Sequence, residues 1–215
     1  MSPQTPFDPL DIERTSLHII DSEVPEPRPF EGQQWNIVRR MIHASADFEL
    51  LHLVRFHPQA LQAGLQALHS GCTIFTDTNM CLAGITRTRM QRLHCCAQCL
   101  IDTEHCAQHA KESGLTRAAA AVDLLQHRLA GNIYVLGNAP TALQRLLQLT
   151  SQGCNPPALV VGMPVGFVEA SESKAELLAQ EQIPYILIQG RKGGSALAAA
   201  CLNALAEIAL AEAKV

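Results

Sequence analysis

Five short apolar runs punctuate the later part of the chain, and each is followed by a stretch with helical spacing. They read "CTIFTDT", "CCAQCLI", "NIYVLGNA", "ALVVGMPV" and "PYILIQG". Runs this short, apolar on consecutive residues and bounded by turn residues, are strands covered on both faces. A strand–helix alternation of this kind threads a parallel sheet. The helices expected are residues 79–93, 103–112 with 116–129, 141–151, 171–180 and 195–213. Right-handed crossovers place them on both faces, so the expected fold is α/β, a doubly wound five-stranded parallel sheet.

The region before these units is less regular. The first 32 residues hold six of the twelve prolines and predict an extended N-terminal arm or cap around one strand-like piece, "SLHIID". Residues 33–47 predict a helix with Trp35, Val38 or Ile42, and Ala46 on one side. Residues 58–71 predict another, with Pro58 in its first turn and Gly71 closing it. A chain of 215 residues with 47% hydrophobic side chains is expected to form one domain, residues 1–215.

Sixteen basic against twenty acidic residues give a net charge of −4 with no polybasic run. Bulk charge therefore makes no case for a nucleic acid or a membrane surface as partner. No apolar run approaches the roughly 20 residues of a membrane span. "MSPQTPFDPLDIERTS" lacks the basic and apolar regions of a signal peptide, so the cytoplasm is the expected compartment and the eight cysteines are expected as thiols or metal ligands.

Four strands end in small or polar turns: "TDTNM", "GNAPT", "GMPVGF" and "GRKGGS". Ligands of open parallel sheets bind outside the carboxyl ends of the strands, so these turns line the rim where a site is expected. In "GRKGGS", Arg191 and Lys192 precede Gly193, Gly194 and Ser195 at a helix start, an arrangement suited to an anion. It is not a nucleotide P-loop, because the lysine precedes the glycines. Thr76, Asp77 and Asn79 end the first run, with Asp77 either orienting a ligand or capping the next helix. Arg117 opens the helix in "SGLTRAAAA". Each of these also has a plain reading as a solvated or capping turn residue.

Two further features need weighing. His94, Cys95, Cys96, Cys99, His105, Cys106 and His109 crowd one stretch and offer soft metal ligands. Strand alternation puts Cys95 and Cys99 on one face and Cys96 on the other, which argues against a tidy metal site and for thiols in a sheet. His43 stands in "RRMIHASADFEL" on a predicted helix, where a lone histidine is ordinarily structural.

Taken together, these segments resemble the precorrin-8X methylmutase family, also described as cobalt-precorrin-8 methylmutases. The likeness runs in order through "DIERTSLHIIDSE", "RRMIHASADFEL", "GCTIFTDTNMCLAGI", "GLTRAAAA", "GNAPTAL", "VGMPVGFVEASESK" and "GRKGGSALAAACLNAL". It covers nearly the whole chain, and the last three motifs are specific as a set. The resemblance implies a flavodoxin-like fold, a homodimer with active sites near its interface, and an isomerase of cobalamin biosynthesis. The implied reaction moves a methyl group from ring carbon 11 to ring carbon 12 of precorrin-8X or cobalt-precorrin-8, giving hydrogenobyrinic or cobyrinic acid. No methyl donor, nicotinamide or metal cofactor is implied.

By the same resemblance His43 is the proton donor. Thr76, Asn79, Arg117, Arg191, Lys192, Gly193, Gly194 and Ser195 are the donors to the acetate and propionate arms of the tetrapyrrole. The crowding of thiols and imidazoles between His94 and His109 departs from the family pattern. The rival readings are a non-catalytic corrinoid carrier, which has no use for His43, a generic anion-binding flavodoxin-like protein, and a metal-binding regulator.

Overall fold

The computed structural model describes residues 9–213. All five apolar runs are strands, and a sixth precedes them. They are β1 (Val54–Phe56), β2 (Thr73–Thr76), β3 (Cys96–Cys99), β4 (Ile133–Leu136), β5 (Leu159–Gly162) and β6 (Tyr185–Ile188). The sheet order is β1-β6-β5-β4-β2-β3, with β1 antiparallel to β6 and every other pair parallel. Among the parallel strands that is the 2-1-3-4-5 order of flavodoxin-like folds, with the change of direction between β2 and β4. The expected five-stranded sheet thus gains an antiparallel edge. β1 escapes sequence patterning because it is three residues long and only Val54 is fully buried.

Strand alternation sorts the core into two layers. Ile74, Ile133, Val135, Val161 and Ile186 face one side, together with α2 (Gly32–Ser45), α4 (Ala60–His69) and α11 (Ser195–Glu212). Phe75, Tyr134, Leu136, Val160 and Leu187 face the other, against α8 (Arg117–Leu125), α9 (Pro140–Ser151) and α10 (Ala170–Ala179). Every residue of β4, β5 and β6 is buried, which is why their sequences are continuous apolar runs. α11 is long and apolar enough to pass for a membrane span, contrary to expectation. Its composition is accounted for by its place in the core, where Ala198, Cys201, Leu202, Leu205 and Ala209 are wholly buried.

Three expectations are corrected. Residues 1–8 of the expected arm lie outside the described residues, but Pro9–Glu23 is a helix, α1, and "SLHIID" is not a strand. Leu17, Ile20 and Val24 recur at helical spacing and pack on the core, and that spacing outweighs the alternation suggested by Leu17 and Ile19. Proline is tolerated at its start because the first helical amides have no intrahelical partner, and Arg28 donates to the Val24 and Asp21 carbonyls at its end.

Ala46 does not share the buried face of α2. It is the left-handed cap at φ 51, bonded to the Ile42 carbonyl.

The helix expected over 79–93 is broken into α5 (Asn79–Gly84) and α6 (Arg87–Arg92). Asn203 of α11 donates to the Gly84 carbonyl and accepts from the Thr86 amide, taking over both groups at the break. Any side chain at Gly84 would meet the Ala199 Cβ at 2.7 Å, so the close approach to α11 requires glycine there.

Candidate active site

His43 lies in the last turn of α2, half-buried, with its Nδ1 2.8 Å from the Ser16 hydroxyl of α1. Nε2 makes no hydrogen bond among the described residues. The ring lines a cleft of about 740 Å³ whose walls are largely apolar, including Ile12, Ile19, Ile42 and Phe48. Such a volume and character suit a small-molecule ligand.

The polar residues around His43 have other work. Arg39 and the Trp35 indole both bond to Asp21, tying α2 to α1. Arg40 pairs with Glu13 and Glu207, reaching α1 and α11. The Ser45 hydroxyl donates to the Met41 carbonyl. His43 is thus the polar group of this stretch left to the cleft.

The strand-end rim is a second assembly. Asp77 is buried after β2, and its carboxylate accepts from the amides of Gly137, Asn138 and Ala139 at 2.9, 2.7 and 2.7 Å. Burial pushes its carboxyl up, and the three amides oppose that. Asp77 therefore does not cap α5, a role taken by Thr78; it braces the β4 turn against the β2 turn at the switch point. Thr76 is buried and donates to the Thr78 carbonyl, and the Thr78 hydroxyl lies 3.0 Å from that of Ser195. Ser195 is not the cap of α11 but its first residue, packed so tightly on Gly137 that a Cβ there would fall 2.6 Å from the Ser195 Cα.

Asn79 and Arg117 converge on a residue that sequence reasoning passed over. Asp102 accepts from the Asn79 amide and pairs with Arg117 at 3.7 Å, all three exposed. At the other end of the rim, Lys192 donates to Asp47, at 2.7 Å, and to Glu49. These bonds raise the lysine pKa and lower that of Asp47. Asp47 and Glu49 flank Phe48, which lines the His43 cleft. Arg191 has no acidic partner among the described residues and lies over the Phe167 ring.

A Cβ on Gly193 would fall 2.1 Å from the Met163 carbonyl oxygen, and the Gly194 amide donates to that same oxygen. Gly194 thus spends its donor on the fold. Lys174, passed over in the sequence although it ends "ESK", is fully buried and donates to the Lys192 carbonyl at 2.6 Å.

A chain of contacts therefore links seven of the nine residues singled out. It runs from Arg117 through Asp102 to Asn79, along the backbone to Thr78 with Thr76 and Ser195, and then along the β6–α11 turn through Gly194 and Gly193 to Lys192 and Asp47, beside the cleft. The Cys/His stretch does not converge. Cys95 is buried, Cys96 exposed, Cys106 turned to the Arg117 carbonyl, and His109 bonded to Asp123. Among the described residues no three potential ligands gather as a metal site.

This architecture defines a flavodoxin-like α/β protein with a cation-bearing rim beside a histidine-containing apolar cleft. Comparisons with known proteins then place it. The precorrin-8X methylmutase family model matches residues 11–208. The chain is 44% identical over 201 residues to the cobalt-precorrin-8 methylmutase of Leptospira interrogans, covering 90% of this chain and 91% of that one. It is 42% identical over 168 residues to the precorrin-8X methylmutase of Pseudomonas aeruginosa, covering 78% and 80%. The crystal structure of precorrin-8x methyl mutase from Thermus thermophilus superposes with a TM-score of 0.87 at 40% identity, covering 94% of this chain and 97% of that one. The chain belongs to the precorrin-8X methylmutase family, isomerases of cobalamin biosynthesis.

Proposed function

We propose that this protein binds precorrin-8X or cobalt-precorrin-8 and moves the ring carbon 11 methyl group to ring carbon 12, with His43 as proton donor. The observation that carries the reading is the placement of His43. It is held by Ser16 in an apolar cleft that adjoins, through Phe48 and the Asp47–Lys192–Glu49 cluster, a rim bearing cations. The cleft suits the apolar body of a macrocycle. The rim from β3 to β6 spans four strand spacings, roughly 19 Å, wide enough for the macrocycle and its carboxylate arms. Relatives carry the names of both substrates, so the metal-free and the cobalt-containing ring are both candidates.

In this mechanism the protonated ring donates Nδ1–H to Ser16 and presents Nε2–H to the substrate. Proton transfer to a ring nitrogen or adjacent carbon withdraws electron density from the conjugated system. The carbon 11–methyl bond then breaks as the carbon 12–methyl bond forms, on one face of the ring. Return of the proton to Nε2 leaves product and substrate isomeric, and Ser16 keeps the neutral imidazole in the Nδ1–H tautomer between the two transfers.

Arg191, Lys192, Arg117 and Asn79 supply the carboxylate-binding donors of the rim, and Thr76, Ser195, Gly193 and Gly194 shape the turns that hold them. Charge-assisted bonds of this kind are stronger than neutral ones, and they strengthen further as the macrocycle excludes water from the rim. Lys192 must exchange Asp47 and Glu49 for substrate, which is feasible because solvent-exposed ion pairs are weak. A homodimer and a cytoplasmic location complete the reading.

The test is incubation with each substrate while the visible absorbance is followed as conjugation changes. His43→Ala is expected to slow turnover by about 10²–10⁴-fold and to leave product binding within a few-fold. Loss of binding together with turnover would remove the support for a proton-donor role. Binding without turnover in the unaltered protein would indicate a corrinoid carrier.

A further inference from the structure

The turn after β5, "MPVGFVEA", presents the two most exposed large apolar side chains among the described residues, Phe167 and Val168, with Val165 beside them. Phe167 is 84% exposed, Val168 79% and Val165 41%. Adjacent exposed apolar side chains mark a contact site more often than isolated ones do. This turn is also firmly held. The Gly166 amide donates to the Arg191 carbonyl at 3.2 Å, and the Gly194 amide to the Met163 carbonyl at 2.9 Å. Glu169 turns the chain into α10 at φ 61, and its carboxylate accepts from the Gln144 amide at 2.8 Å. Both ends are pinned, so Phe167 is held outward by the backbone.

The Arg191 guanidinium carbon lies 5.4 Å from the centroid of the Phe167 ring. A cation over an aromatic ring at this range is attracted to its π face. At 84% exposure the ring keeps its opposite face open. We propose that Phe167 is a substrate-positioning residue, its open face receiving the conjugated face of the macrocycle while Arg191 backs it and bonds a carboxylate arm. This rests on the methylmutase reading.

Position favours that occupant over a second protein chain. The turn lies at the carboxyl end of β5, between the turns of β4 and β6, so a polyanion reaching Arg191 and Lys192 from the switch point passes over it. Three side chains are also a small fraction of the roughly 800 Å² per partner that a stable protein interface buries.

The experiment compares Phe167→Ala, Phe167→Leu and Phe167→Tyr with the unaltered chain, measuring kcat, KM, melting temperature and mass by light scattering. The Ala variant is expected to raise KM by about 5- to 10-fold, with kcat and melting temperature nearly unchanged. Tyr restores KM by supplying a ring, and Leu falls between. An Ala variant with unaltered KM overturns the proposal. A raised KM that accompanies a change in oligomeric mass also overturns it, because the patch is then a contact between copies. Failure of the unaltered chain to convert either substrate refutes the methylmutase reading itself, and this proposal with it.

Discussion

His43 illustrates how little a residue's identity says about its work. Arg39, Arg40 and Ser45 stand as near to it in the chain, yet each is occupied by a structural partner, and His43 meets the cleft because its helical phase faces Ser16. Lys174 is the converse, a charged residue wholly inside. Among the described residues no acidic group pairs with it, and burial pushes its ammonium down to about 8, against about 10.4 in an unfolded chain.

Between those values the unfolded chain binds the extra proton, so this residue's penalty is fully present below pH 8 and is relieved as pH rises toward 10.4. The difference in unfolding free energy between wild type and Lys174→Met is therefore expected to shift in favour of wild type across that window, by on the order of 3 kcal/mol. Denaturant titrations of both proteins at pH 7, 9 and 10.4 test this, and parallel pH curves would contradict it.

At the scale of elements, the buried strands were legible because a strand covered on both faces leaves a continuous apolar run. The short edge strand β1 was not, because one buried side chain in three residues makes no pattern. The break between α5 and α6 was hidden for a different reason: the residue that causes it, Asn203, lies more than a hundred positions away. The link between the β2 and β4 turns is equally non-local and rests on Asp77. Asp77→Ala would leave three amides without their acceptor, costing about 3 kcal/mol or more. The melting temperature is expected to fall by roughly 6–12 °C, with Asp77→Asn intermediate because its one oxygen can still accept. An unchanged melting temperature for the Ala variant would show that the switch point is held by other contacts.

Across the whole molecule, the candidate site was legible as a set of separate turns. Its connections were not: Asp102 joining Asn79 to Arg117, and Asp47 and Glu49 meeting Lys192, appear only once the sheet order is known. The same holds for the Cys/His stretch, where proximity in the chain does not become convergence in space. The proposed dimer belongs to this scale. Light scattering is expected to give twice the mass of one chain at micromolar concentration, and a monomeric mass would remove the dimer from the reading.

By itself the sequence determined the alternation of buried strands and helices, and with it the parallel sheet and the rim of turns at its carboxyl ends. Those follow from local periodicity, which records how much of each strand or helix must be hidden from water. Tertiary structure decided the helical state of residues 9–23, the break after Gly84, and which turn residues are occupied by the fold. It also placed His43 at an apolar cleft beside Lys192. Each of these depends on partners distant in the chain, whose contact free energy no local pattern encodes.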